Sequence, residues 1–117
     1  MNVIQLWLKL AWKLRTPFIL PLDLRYQVAT LEQVKAIPMP PMTYTPEIRD
    51  CDDFAWVFKG MAAQAQIQAV GMVIGRGLGG LHCWNCAVTA DGVFQIEPQT
   101  GETFQKKKGY YPGLVII

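Results

Sequence analysis

The stretch Asp50–Gln68, DCDDFAWVFKGMAAQAQIQ, carries the strongest secondary-structure signal in the chain. Apolar residues recur in it at spacings of three and four, which predicts a helix with one buried face, running to about Gln68. The residues of that face are Phe54, Val57, Phe58, Met61, Ala62 and Ala65. Asp50 is a good N-cap, and Asp52 and Asp53 are acids in the first turn, where the helix dipole favours negative charge.

Cys51 lies in the first turn of this predicted helix, on the same side as Phe54 and Phe58, so its thiol is expected to face the rest of the fold. A helix N-terminus stabilises a thiolate, which is the reactive form of cysteine. A cysteine nucleophile also needs a base, and that base needs a partner to orient it. The chain has a single histidine, His82, so any imidazole chemistry must use it.

Beyond this helix the sequence predicts four strands. They are Val70–Gly75, Leu81–Thr89, Val93–Glu97 and Leu114–Ile117. The pair Asp91-Gly92 between the second and third strands is a strong hairpin signal. A helix followed by a run of strands predicts the α+β class, with the helix packed on an antiparallel sheet.

The predicted hairpin places His82 and Glu97 on the same face of the sheet. With Asp91-Gly92 as a two-residue loop, Cys86 pairs with Glu97, and residues two apart on a strand share a face. That register leaves His82 four residues from the position opposite Glu97, roughly 13 Å along the strand. A direct pair requires a turn centred at Thr89-Ala90, so we expect a longer loop or a bulge here.

The first 40 residues give weaker signals. Val3–Leu14 predicts a helix with one polar stripe, formed by Asn2, Gln5, Lys9 and Lys13. We expect it to pack on the domain; a membrane-surface or partner-docking helix is the alternative, and it is too short to span a bilayer, which takes ~20 residues. Leu24–Lys35 is compatible with a strand or a short helix. Four prolines between Pro38 and Pro46 predict an extended crossing.

Composition limits the classes of protein to which the chain can belong. At 117 residues there is room for one domain, 1–117. A net charge of +2 is too small to indicate a nucleic-acid partner. Three cysteines are an odd number, which excludes a complete disulfide framework. A reducing compartment, or one free functional thiol, is the simplest explanation. A reducing compartment would make the location cytoplasmic.

Three short motifs occur in an order that resembles a known family. They are Asp50-Cys51-Asp52-Asp53-Phe54-Ala55, His82-Cys83-Trp84-Asn85 and Ile96-Glu97-Pro98-Gln99. Together they resemble the papain-like cysteine peptidase domain of the Marasmius oreades agglutinin and of related small phage and bacterial proteins. The resemblance covers roughly residues 44–103. The sugar-binding β-trefoil of that lectin has no counterpart in this sequence. If the chain is phage-encoded, as the resemblance suggests, the expected location is the cytoplasm of the host cell.

The resemblance implies a minimal papain-like fold, with residues 41–117 as its core and residues 1–40 as an N-terminal helix and extended cover. It implies a hydrolase, a thiol protease that acts on a peptide or protein substrate or transfers its acyl group. In that scheme Cys51 is the nucleophile, His82 the general base and acid, and Glu97 the group that orients the imidazole. The backbone N–H of Cys51 would serve the oxyanion hole.

The resemblance also implies a calcium site beside the nucleophile. The matching oxygen-bearing side chains are Asp52, Asp53 and Gln99, and hard oxygen ligands suit calcium. Calcium is the one cofactor that the sequence suggests.

The segment His82-Cys83-x-x-Cys86 invites a zinc or redox interpretation. No second CxxC or histidine pair supplies the further ligands that a structural zinc site needs. Residues three apart on a strand point to opposite faces, so Cys83 and Cys86 are not expected to converge. A redox CxxC is expected to open a helix, whereas a strand and hairpin follow this one. Asn85 is disfavoured as a triad partner because its odd offset from His82 places it on the opposite face.

Two function classes remain open on the sequence. The first is a cysteine peptidase or related acyl-transfer enzyme. The second is a binding or interaction protein that keeps the fold without the activity. The geometry around Cys51 and His82 distinguishes them, because covalent chemistry requires the thiol and the imidazole to share one site.

Overall fold

The structure, a computed structural model, describes residues 1–117 and contains three helices and six strands. The helices are α1 (Val3–Leu14), α2 (Leu31–Lys35) and α3 (Cys51–Gln64). The strands are β1 (Ile19–Leu20), β2 (Val70–Gly77), β3 (Gly80–Thr89), β4 (Gly92–Ile96), β5 (Thr103–Phe104) and β6 (Tyr111–Ile116). They form one sheet in the order β1-β6-β2-β3-β4-β5.

The sheet is mixed, so the prediction of an antiparallel sheet is wrong at one edge. Strand β1 runs parallel to β6, with Ile19 paired to Val115, while the other neighbours are antiparallel. Strand β1 has two residues and lies between Pro17 and Pro21, and its partner is at the opposite end of the chain. Neither alternation nor a turn signal marks such a strand in the sequence.

Helices cover both faces of the sheet. Helix α1 buries one stripe of leucines in the largest core cluster, whose main members are Leu6, Leu10, Leu14, Val73, Trp84, Cys86, Val88 and Val115. On the opposite face α2 and α3 pack in a second cluster with Val34, Ile37, Phe58, Ala62, Val70, Ala87 and Ile96. The prediction that the N-terminal helix packs on the rest of the chain is confirmed.

Helix α3 ends at Gln64, earlier than the apolar periodicity predicts. Gln66 has a positive φ of 61°, and the N–H of Ile67 donates to the carbonyl of Ala62 at 2.8 Å. This turn redirects the chain into β2, which periodicity alone does not indicate. In the ambiguous segment 24–35, the structure forms the short helix α2, capped by Thr30 and Gln33 in a capping box.

The hairpin between β3 and β4 has a tighter register than the sequence predicts. Thr89 pairs with Gly92, and Cys86 pairs with Gln95 rather than with Glu97. The Thr89 hydroxyl holds the turn, because it donates to the carbonyl of Gly92 at 2.8 Å and accepts from the N–H of Asp91 at 3.1 Å. The turn residues are therefore Ala90 and Asp91, and the expected longer loop or bulge is wrong.

No helix in the structure combines the length and the apolar character that crossing a membrane would require.

Candidate functional site

Cys51 is the first residue of α3 and is half-buried. The carboxylate of Asp53 accepts from the N–H of Asp50 at 3.2 Å, which fixes the chain where the helix begins. The Cys51 side chain packs against a small cluster on the α3 face of the sheet, formed by Ala55, Met72 and Cys83. The sequence prediction that the thiol faces the sheet is confirmed.

The thiol of Cys83 is a close neighbour of Cys51. Burial, followed by the Cys51 side chain and then the charges of Asp52 and Asp50, raises the pKa of the Cys83 thiol to about 12. Burial also raises the pKa of the Cys86 thiol to about 12. Both groups are therefore protonated near neutral pH and poor nucleophiles, since the thiolate is the reactive form.

His82 and Glu97 form a buried hydrogen-bonded pair. Nε2 of His82 lies 2.6 Å from Oε2 of Glu97, and the two residues are only 5% and 3% exposed. Glu97 follows the last residue of β4, and one further step of the ladder would set it opposite Trp84. His82 therefore reaches Glu97 diagonally across the hairpin, over a separation of ~7–8 Å that long side chains can bridge.

Aromatic and amide side chains hold this pair in place, and none of them is predicted from the sequence as part of the site. The Tyr110 hydroxyl donates to Oε2 of Glu97 at 3.2 Å, and the Trp84 ring stacks on the His82 ring with centroids 5.6 Å apart. Trp84 in turn donates to Oε1 of Gln95 at 2.8 Å. Tyr110 comes from the chain just before β6, and no motif links it to the hairpin. Burial, and then the charge of Glu97, raises the pKa of Tyr110 to about 12.

Cys51 and His82 line one cleft of about 340 Å³ at the end of the sheet where β2 turns into β3. Its other lining residues are Tyr44, the connecting segment Gly77–Leu81 and Gln99. His82 is on the α1 face of β3, beside Trp84, and Cys51 is on the α3 face. The His82 ring makes its side-chain hydrogen bond to Glu97 through Nε2 and makes none to the Cys51 thiol.

Three carboxylates gather around the start of α3. Oxygen atoms of Asp50, Asp52 and Asp53 all lie within 4.8 Å of one another. A hydrogen bond shared with Asp52, together with the charges of Asp52 and Asp53, raises the pKa of Asp50 to about 6. Such a group of hard oxygen atoms suits calcium. The structure therefore brings the predicted Asp52 and Asp53 together, adds Asp50, and places Gln99 in the neighbouring cleft.

The side chains of the HCxxC segment diverge as the sequence predicts. Cys83 packs beneath α3 while Cys86 lies in the α1 core, so the two thiols do not share a site. The three cysteines are free. Asn85 also faces α3, where its Nδ2 donates to the carbonyls of Ala55 and Gly71 at 2.9 and 3.0 Å. It ties α3 to β2 and is not a partner of His82.

Comparisons with known proteins show that the chain is structurally similar to part of a lectin. No protein-family model matches the chain, and no curated protein does so either. Two solved structures match over 100% of the chain at 25% identity. One, with a TM-score of 0.84, is the Polyporus squamosus lectin bound to the human-type influenza-binding epitope Neu5Aca2-6Galb1-4GlcNAc. The other, with a TM-score of 0.83, is a PSL1a–E64 complex. The chain covers 49% and 51% of their lengths, about half of each.

These comparisons correct the expectations that the family resemblance carried. The two structures are a lectin and a PSL1a–E64 complex, so the assignment to the papain-like cysteine peptidases does not stand. The fold is a six-stranded mixed sheet between helices, shared with half of the lectin, and the minimal papain-like description is withdrawn. The hydrolase activity and the peptide substrate are withdrawn with it, because the ligand in the lectin's description is a carbohydrate.

Proposed function

We propose that this chain is a ligand-binding module similar to half of a lectin, and that its ligand site is the cleft between Cys51 and His82. In this proposal Cys51 is a nucleophile, His82 its base and Glu97 the group that orients the imidazole. One observation carries it: the buried 2.6 Å contact between His82 Nε2 and Glu97 Oε2, in a histidine that lines the same cleft as a half-buried thiol.

The contact with Glu97 selects the useful tautomer of His82. A carboxylate accepts hydrogen bonds, so the proton of a neutral imidazole resides on Nε2 and the unprotonated Nδ1 is the basic atom. The His82 ring and the Cys51 thiol are not hydrogen-bonded in the structure, so in the proposed step they approach each other across the cleft that both line, and Nδ1 takes the thiol proton. The N-terminus of α3 stabilises the resulting thiolate. Glu97 then faces an imidazolium, which its negative charge stabilises.

The PSL1a structure suggests the kind of ligand that this site accepts. That structure is described as a complex with E64, a compound that carries an epoxide. A thiolate attacks one epoxide carbon, a C–S bond forms and the C–O bond breaks. The ring oxygen becomes a hydroxyl by taking the proton from His82 Nδ1, so the protein atoms and charges balance. We infer that Cys51 captures electrophilic ligands of this kind covalently.

Mass spectrometry of the intact chain after incubation with E64 tests the proposal. We expect one adduct, mapped to Cys51, which Cys51→Ser abolishes. Cys83→Ser is the matched control, because it removes the neighbouring thiol and should leave the adduct in place. His82→Ala should slow the reaction by about 10²-fold or more, the usual scale for loss of a general base. An adduct on Cys83 or Cys86, or none on the folded chain, would refute the assignment of Cys51.

We also propose that calcium binds at Asp50, Asp52 and Asp53. These carboxylates supply hard oxygen ligands. A bound cation would favour the ionised form of Asp50, whose pKa is raised to about 6 by a hydrogen bond with Asp52, by burial and by the charges of Asp52 and Asp53. Isothermal titration with calcium should give one site, and Asp52→Asn should weaken it. Glu32→Gln is a control, since it removes an exposed carboxylate on α2. Equal titrations for Asp52→Asn and the unchanged chain would contradict the site.

Carbohydrate binding by this chain is a second candidate function, favoured by the glycan named in the lectin structure. The chain spans about half of that lectin, so the glycan-binding residues lie either in the matched half or outside it. Titration of the chain with Neu5Aca2-6Galb1-4GlcNAc, followed by NMR, distinguishes the two cases. Shifts that saturate would place glycan binding in this half, and an unchanged spectrum would remove the candidate without affecting the test of Cys51.

The three free thiols support a reducing compartment, and we propose a cytoplasmic location on that ground.

A further inference from the structure

Helix α1 is apolar on its outward face as well as on its buried face. Ile4, Leu8 and Trp12 recur every four residues, which places them in one stripe along the helix. They are 68%, 57% and 80% exposed. The leucines of the core cluster occupy the opposite side of the same helix. The packing of the fold therefore explains one apolar face of α1 and leaves the other uncovered.

The segment that follows α1 adds a second row of exposed apolar side chains. Phe18, Leu20, Leu22 and Leu24 alternate along an extended stretch and all are largely exposed. The N–H of Val3 donates to the carbonyl of Leu24 at 2.9 Å, which holds the end of this row beside the start of α1. We call the combined surface the apolar patch; its members are Ile4, Leu8, Trp12, Phe18, Leu20, Leu22 and Leu24. Exposed apolar patches of this kind mark interaction sites.

Basic side chains surround one end of the apolar patch. Trp12 lines a hollow together with Lys13, Arg15 and Lys106. Lys13, Arg15 and Lys106 also line an adjoining hollow of about 610 Å³ that includes Lys107, Lys108 and Tyr111. We call Lys13, Arg15, Lys106, Lys107 and Lys108 the basic rim. Lys107 is paired with Glu102 at 2.6 Å, and the rim as a whole is strongly positive.

We propose that the apolar patch and the basic rim dock the protein on the surface of an anionic lipid bilayer. Helices that lie in the membrane interface typically combine tryptophan, phenylalanine and leucine with lysine and arginine. The apolar patch and the basic rim have this composition. The basic rim would attract acidic lipid headgroups while the apolar patch enters the boundary of the acyl chains. A second copy of the chain is the alternative occupant, but it would leave the basic rim without a partner, because a two-fold dimer centred on the apolar patch places the two rims at opposite ends.

Co-sedimentation with lipid vesicles tests this proposal on the full chain. We expect binding to phosphatidylcholine vesicles that contain phosphatidylserine and little binding to phosphatidylcholine alone. The double variant Lys106→Gln with Lys108→Gln removes two charges of the basic rim and should weaken the binding about tenfold or more. Trp12→Ser should weaken it to a similar extent, about tenfold. These side chains are exposed, so the variants should fold, and circular dichroism verifies this.

Two matched controls alter the same chemistry elsewhere on the surface. Ile48→Ser removes an exposed apolar side chain outside the apolar patch, and Arg76→Gln removes an exposed charge of β2 outside the basic rim. Both should bind as the unchanged chain does. Binding that ignores phosphatidylserine, or that Ile48→Ser weakens as much as Trp12→Ser, overturns the proposal. It is also overturned if ultracentrifugation shows a dimer that Trp12→Ser dissociates, since the patch is then a protein interface.

Discussion

Removal of the Glu97 carboxylate should destabilise the chain far more than its position after the end of a strand suggests. The carboxylate accepts three hydrogen bonds: from His82 Nε2 at 2.6 Å, from the Tyr110 hydroxyl at 3.2 Å and from the N–H of Gln99 at 3.3 Å. Glu97 and His82 are both almost completely buried. Water is therefore not available to replace the lost acceptor in Glu97→Ala.

The magnitude follows from the groups that are left without a partner. Each buried donor without an acceptor costs about 1–3 kcal/mol, and His82 and Tyr110 both lose theirs. Glu97→Ala should therefore lower the free energy of unfolding by about 2–6 kcal/mol. Glu97→Gln keeps the shape and one acceptor oxygen, and we expect a loss of about 1–2 kcal/mol. Tyr110→Phe removes only the longer contact and should cost about 1 kcal/mol.

Urea unfolding of the unchanged chain, Glu97→Ala, Glu97→Gln and Tyr110→Phe, followed by tryptophan fluorescence, measures these differences. The double variant Glu97→Gln with Tyr110→Phe completes a thermodynamic cycle and should show coupling, because the two groups touch. The reasoning is refuted if Glu97→Ala lowers the free energy of unfolding by less than about 1 kcal/mol, since the pair would then be solvated or unformed. Additive effects of the two substitutions would refute the Tyr110 contact alone.

Three further predictions concern the core. Burial raises the pKa of the Cys86 thiol to about 12, whereas a thiol in the unfolded chain titrates near ~8.5. The unfolded chain therefore releases that proton first, and the free energy of unfolding should fall as the pH rises between these two values. In urea unfolding, Cys86→Ala should reduce this fall by up to about 1.4 kcal/mol per pH unit. A Cβ on Gly75 would collide with the backbone carbonyl of Tyr111, whereas one on Gly80 meets open space. Gly75→Ala should therefore lower the free energy of unfolding by more than about 3 kcal/mol or prevent folding, and Gly80→Ala should lower it by less than about 1 kcal/mol. Thermal melting of the two variants measures the difference. Asn85→Asp would aim a carboxylate at two carbonyl oxygens that now accept hydrogen bonds from the Asn85 amide. We expect this variant to lower the free energy of unfolding by at least about 3 kcal/mol at neutral pH, and by less at acidic pH, where the carboxylate is protonated. An equal loss at neutral and acidic pH would contradict this prediction.

Local periodicity predicts the elements of this fold whose partners are near in sequence or whose faces are wide. The apolar spacing of residues 3–14 and 50–68 gives both long helices, and alternation with a turn signal gives the β3–β4 hairpin. The edge strand β1 is different, because two residues between prolines acquire their conformation from β6 at the other end of the chain. The prediction of an antiparallel sheet fails there for that reason.

The candidate site likewise contains residues that local sequence signals predict and residues that reach it from distant parts of the chain. Cys51 is predicted correctly at the start of α3 because capping residues and helix periodicity are local. The roles of Cys51, His82 and Glu97 came from a resemblance whose peptidase assignment does not stand, and they remain proposals for E64 labelling to decide. Tyr110 is absent from the sequence-based site because it reaches Glu97 from the connection before β6.

The hairpin turn shows how one side chain sets the geometry of a distant pair. A loop at Asp91-Gly92 would leave His82 four residues from the position opposite Glu97, roughly 13 Å away. The Thr89 hydroxyl instead closes the turn on Ala90 and Asp91, and the register moves so that the separation along the strand is halved. A histidine and a glutamate can bridge a diagonal of that length, whereas they cannot bridge the longer one. The pair therefore depends on a threonine at the far end of β3, a residue that no motif for the site would include.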